Sequence, residues 1–114
     1  MRTQTLKFFG AAGFLALALS VPAYAAVDAD AAEDLGDRNG CFNCHSIDKT
    51  KKGPSYKKIA AKYKGQADGQ EKTIQAMTSG AKVKLVDGTE ENHKIIDTKD
   101  PKELKNLADW ILAQ

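Results

Sequence analysis

Hydrophobic positions fall into two regimes along the chain. Phe8–Val21 is apolar or small throughout, with Ser20 the one exception. From Ala26 onward apolar residues are scattered through polar sequence and recur at helical spacing. Ala29–Asn39 is predicted as a helix that stops at Gly40, with Leu35 as its main apolar anchor. Gly36 inside it is costly for a helix, and is expected where another helix crosses closely. After a loop over Cys41–Gly53, Pro54 is expected to open a second helix at its first position, with Tyr56, Ile59, Ala60 and Tyr63 on one face. "KGQADG" breaks that helix, and "QEKTIQAMTSG" forms a third, with Thr73, Ile74 and Met77 on one side and Gly80 as its stop. Ala81–Lys99 has a D-G turn, β-branched residues and no helical period, as suits a short strand pair or an extended loop. "DPKELKNLADWILAQ" is the clearest element. Asp100 stands as N-cap, Pro101 at the first helical position and Glu103 three residues after the cap. Leu104, Leu107, Ala108 and Ile111 form its stripe, with Trp110 alongside. The chain is predicted to be all-α.

The first regime is not part of that fold. Arg2 and Lys7 precede the apolar run, no acid accompanies them, and "PAYA" supplies a small-residue cleavage site. These are the three parts of a secretory signal peptide, residues 1–25, cut after Ala25. The run is too short to span a bilayer comfortably, which takes about 20 apolar residues. Residues 26–114 then form one small exported domain of 89 residues with no membrane span. A domain of that size is marginal on apolar burial alone and commonly carries a staple or cofactor.

Removing Arg2 and Lys7 from the 17 basic residues balances the 15 acidic ones, so residues 26–114 are neutral. The charges are nevertheless segregated. Asp28, Asp30, Glu33, Asp34 and Asp37 make the first helix acidic, while Lys49, Lys51, Lys52, Lys57, Lys58, Lys62 and Lys64 make the next stretch basic. The basic stretch suits a solvated helix face with its loop, or a docking rim for an acidic redox protein. Zero net charge without interleaved aromatics argues against nucleic acid as a partner.

The only two cysteines, and one of the only two histidines, stand together in "GCFNCHSI", Gly40–Ile47. A disulfide between Cys41 and Cys44 would close a tiny loop and stabilise little. A thioredoxin-type pair needs a βαβ setting that this sequence lacks. Tetrahedral zinc needs four ligands, and adjacent Cys44 and His45 do not comfortably aim at one ion. C-x-x-C-H is the pattern of covalent haem attachment: two thiols add to two vinyl groups of one porphyrin, and His45 Nε2 is held beneath the iron. On this reading Phe42 and Asn43 serve only as a bridge.

Around this motif the chain resembles the small bacterial class I cytochromes c over nearly all of residues 26–114. "RNGCFNCHSID", "KGPSYKKIAAKYKGQAD" and "LADWILAQ" are similar to that group in order and spacing. The resemblance implies three to four helices around one covalently attached haem c, with the N- and C-terminal helices crossing. It also implies that His45 Nδ1 donates to the Pro54 carbonyl, which fixes ring and tautomer.

The chain departs from the group at the sixth iron ligand. Most members place a methionine in a Pro-rich loop before the last helix, and "GTEENHKIID" stands there instead. Met77 is expected to pack against the haem from the third helix. His93, 17 residues before Trp110, occupies about the place of the missing methionine. It is the expected distal ligand, with Lys94 and Asn92 as local alternatives. Two imidazoles favour ferric iron and lower the potential relative to methionine ligation, within the roughly 0.8 V that axial ligands span. The expected function is therefore a periplasmic one-electron carrier of lowered potential, not an enzyme, with redox proteins as partners. A small-gas-binding or sensing haem protein with a displaceable sixth ligand is the rival.

Overall fold

The structure, a computed structural model, describes Ala26–Gln114 together with Gly10, Gly13, Ala16 and Leu17. The rest of the predicted signal segment lies outside the described residues. Three of the four helices begin at a side chain that receives one of their unpaired N–H groups. Helix α1 (Ala29–Arg38) starts on Asp28, whose carboxylate accepts from Ala31 N–H at 3.0 Å. Helix α2 (Tyr56–Tyr63) starts on Ser55, whose Oγ accepts from Lys58 N–H at 3.1 Å. Helix α3 (Gly69–Thr78) has no such cap, and α4 (Pro101–Leu112) starts on Asp100, which accepts from Lys102 N–H at 2.9 Å.

Between α3 and α4 runs a two-stranded antiparallel hairpin, β1 (Lys82–Lys84) and β2 (Glu90–Asn92). Lys84 faces Glu90 across it, an opposite-charge pair of the kind that supports a polar ribbon. Of the two forms open to this segment in sequence, the strand pair is the one found.

Helix α4 is the hub, packed by α1, α2 and α3. The core joins Ala32 and Leu35 of α1, Tyr56 of α2, Met77 of α3, Ile96 of the following loop, and Leu104, Leu107, Ala108, Trp110 and Ile111 of α4. Ala32 and Ala108 are completely buried, as suits a close approach of α1 to α4. The side-chain amide of Asn106 brackets Asp28, accepting from its N–H at 2.9 Å and donating to its carbonyl at 2.8 Å, which ties the start of α1 to α4.

Three expectations are corrected. Gly36 makes room for Phe42, not for a crossing helix: a Cβ there would lie 3.1 Å from Phe42 Cε2. Pro54 does not open α2, because its carbonyl is taken by His45 and cannot begin the helical ladder; the helix starts two residues later. Glu103 does not return to the Asp100 N–H. Thr98 Oγ1 accepts from that N–H at 3.1 Å and donates to the Glu103 carboxylate in a short hydrogen bond, so the box closes through a third residue.

Candidate functional site

Gly40 ends α1 in the left-handed region at φ 69°, and Cys41–Asn43 then wind one 3₁₀ turn. In a 3₁₀ turn positions three apart eclipse each other, which sets Cys41 above Cys44. Both half-buried thiols are free and line one cavity of about 820 Å³. Burial pushes the Cys41 thiol up, so it is protonated at neutral pH. The turn closes with His45 N–H donating to the Cys41 carbonyl at 3.0 Å.

His45 is held from several sides. Its Nδ1 lies 2.6 Å from the Pro54 carbonyl oxygen. A carbonyl only accepts, so Nδ1 carries the proton and Nε2 keeps its lone pair. Tyr56 stacks on the ring at 5.3 Å between centroids, 20° from parallel. Gly53 lies so close that a Cβ would come 2.9 Å from His45 Cε1. Burial is the main influence on the imidazole and holds it below its usual value, in the neutral form that binds metals.

Phe42 is more than a bridge. Its ring meets Tyr56 edge-on at 5.8 Å and Trp110 at 6.2 Å, and Tyr56 meets Trp110 at 5.4 Å. The motif is thus pinned to α2 and α4 by three mutually perpendicular aromatic rings. The signal for this in the sequence is the apolar character of Phe42, with a glycine one helical turn back from Gly40.

The opposite wall comes from the hairpin and the chain after it, with Val83, Leu85, His93 and Ile96 lining the cavity. His93 is half-buried and lines the same cavity as Cys41, Cys44 and His45. Its Nδ1 lies 2.9 Å from the Lys94 carbonyl, which again leaves Nε2 with the lone pair. The two imidazole centroids are 6.1 Å apart and their planes make 43°. Two imidazoles on opposite sides of one metal ion, at about 2.0–2.1 Å per bond, would have centroids about 6.4 Å apart once the rings' own radii are added. The observed spacing is close to that value, and both rings line the cavity of about 820 Å³. Met77 is buried and lines this cavity from α3; Lys94 and Asn92 line it too, but both are exposed. Among the described residues no group of three or more His, Cys, Asp or Glu is placed to hold a metal by itself.

The family model for cytochrome c matches residues 29–114. The chain is 38% identical over 84 residues to cytochrome c-551 of Azotobacter vinelandii, covering 71% of this chain and 94% of that one. It is 35% identical over 100 residues to cytochrome c-552 of Nitrosomonas europaea, covering 88% and 90%. Among solved structures it is similar to the class 1 cytochrome MtoD from Sideroxydans lithotrophicus ES-1, with 56% identity, 77% of this chain and 97% of that chain covered, and a TM-score of 0.74. Cytochromes c are electron carriers, not enzymes, and carry one covalently bound haem c. Gathered around one cavity by four helices, and matched from Ala29 to Gln114, this chain belongs to the cytochrome c family, class I.

Proposed function

We propose that the protein is a periplasmic one-electron carrier whose haem iron is held between His45 and His93. The observation that carries this reading is the pair of imidazoles 6.1 Å apart across one cavity, each with Nδ1 bound to a backbone carbonyl and Nε2 free. Haem, when bound, supplies the one-electron couple of its iron. Cys41 and Cys44 anchor it, the Pro54 carbonyl orients His45, and Met77 packs against it. Two such ligands leave no open site, which suits electron transfer and not substrate binding. Relative to methionine ligation they place the potential lower, so the carrier serves a more reducing partner than a terminal oxidase. The secretory signal supports the periplasm, and no helix among the described residues is long and apolar enough to cross a membrane. The seven lysines from Lys49 to Lys64 are all exposed, which suits a rim for an acidic redox partner.

The spectrum of the purified holoprotein tests the ligands. It is expected to be low-spin in both oxidation states, without the far-red band of sulfur bound to ferric iron. His93→Ala is expected to give high-spin iron that binds carbon monoxide rapidly. A spectrum and potential unchanged by that substitution would return His93 to the surface and favour the gas-binding reading.

A further inference from the structure

The segment that carries His93 has no proline to stiffen it: between Gly80 and Asp100 there is none. From His93 onward, backbone hydrogen bonds hold it at two points, His93 N–H to the Ala81 carbonyl and Ile96 N–H to the Met77 carbonyl, both at 2.9 Å. The third tether is a side chain from the other side of the cavity. Asn39, only 5% exposed, is the last residue before the Gly40–Cys41 turn. Its Oδ1 accepts from Asp97 N–H at 3.0 Å, and its Nδ2 donates to Asp97 Oδ1 at 3.0 Å and to the Leu35 carbonyl at 2.9 Å. One amide thus uses both ends on Asp97 and fastens it to the end of α1.

The consequence is a direct link between the two halves of the site. Asn39 is two residues from Cys41, and Asp97 is four residues from His93. An outward swing of the segment at Asp97 breaks both bonds of the Asn39–Asp97 pair, leaving the buried amide its Leu35 contact and an Oδ1 with no partner. Arg38 adds little, since it meets Asp97 only at 3.8 Å with both side chains about half exposed.

We propose that Asn39 is the positioning residue that keeps the distal imidazole over the iron, by clamping Asp97 to the haem-attachment turn. This rests on the reading of His93 as ligand. Asn39 touches neither ligand nor cofactor; it sets how often the distal segment opens.

The test is carbon monoxide binding to the reduced holoprotein, since the gas enters only when His93 leaves. Asn39→Ala is expected to keep a low-spin spectrum and to bind carbon monoxide about tenfold faster, a change worth about 1.4 kcal/mol in opening. Asp97→Ala keeps its backbone N–H on Asn39 and should give a smaller change of the same sign, and the double variant should add little to Asn39→Ala. Asn39→Asp sets two carboxylates face to face and should also open the site. Adding Asp97→Asn restores a donor opposite an acceptor across the pair, while the Leu35 carbonyl still faces a carboxylate, and should bring the rate part of the way back. A melting temperature lowered while the carbon monoxide rate stays within twofold of wild type would make Asn39 a residue of stability only, and would overturn the proposal. Should Asn39→Ala not yield holoprotein, the Asn39→Asp/Asp97→Asn pair still decides: a rate below that of Asn39→Asp alone supports the clamp, a rate no lower overturns it. His93→Ala separates the two readings. If it opens the iron while the Asn39 variants do not, only the clamp fails; if it changes nothing, the ligand assignment fails first.

Discussion

The two walls of the haem site are built on different principles. The proximal wall, Gly40–Pro54, is made by neighbours in sequence: one 3₁₀ turn, then a loop that closes on itself through Gly53 N–H to the Cys44 carbonyl at 2.8 Å and His45 to Pro54. The distal wall, Gly80–Asp97, is held by residues remote in sequence: Met77 from α3, Asn39 from α1, and Lys52, whose carbonyl receives Val86 N–H at 3.1 Å. The first takes its backbone course from local hydrogen bonds and is then packed by Tyr56 and Trp110, whereas the second is tied down by bonds to α1, α3 and Lys52. On the proposed ligation, His45 sits on the locally built wall and His93 on the one held from afar.

Breaking the proximal wall is expected to have the largest effect. Cys44→Ala removes one covalent tether, so the yield of holoprotein should fall steeply, and Cys41→Ala/Cys44→Ala should hold no haem covalently. Acid-acetone extraction checks this directly: haem should stay with the wild-type chain and leave the double variant. Complete extraction from the wild type would defeat the attachment itself.

Gly53→Ala is the next largest. Its Cβ would enter to 2.9 Å of His45 Cε1, and the ring must shift or the loop must widen. Overpacking of this kind costs about 1–3 kcal/mol, read as a lower denaturation midpoint with an unchanged slope. An unchanged midpoint would show that the proximal loop yields more freely than its hydrogen bonds imply.

The smallest effect is expected at exposed side chains outside both walls. Charge reversal at Lys58 and Lys64, both exposed, should slow association with an acidic redox partner and leave the potential alone. The difference should fade with added salt, since exposed charges are screened over about 10 Å at 0.1 M. A wild-type rate indifferent to salt would leave these lysines a solvated face and nothing more.

What could be read from sequence follows the same division. The C-x-x-C-H turn and α4 carry their signals locally, in spacing, caps and stripe, and both lie where the pattern puts them. The helix α2 starts later than the sequence predicts, because Pro54 satisfies every local rule for a first helical residue while its carbonyl goes to the His45 ring of the preceding loop. Its first N–H groups go instead to the carbonyls of Ser46 and Ile47, at 2.9 and 3.1 Å, a pairing no local pattern encodes. The hairpin stayed ambiguous because its strands are three residues each and mostly exposed, so alternation had nothing to register. His93 stood out by elimination of other donors, whereas Asn39 gave no signal: a polar residue before a glycine reads as an ordinary helix end.

That helix end has a chemical consequence. Asn followed by Gly is the dipeptide most prone to deamidation, in which the following backbone nitrogen attacks the side-chain amide and expels ammonia. In the folded protein Asn39 is held by Asp97 and Leu35, and the Gly40 N–H is committed to the Asp37 carbonyl at 3.0 Å, so the nitrogen and the amide are kept from reacting. In an open chain both restraints vanish. Water then opens the cyclic imide to an acid facing Asp97, so a molecule that spends long unfolded acquires a permanent mark at the seam between its two walls. Ageing of this protein would then be written at the Asn39–Asp97 contact, as one added negative charge.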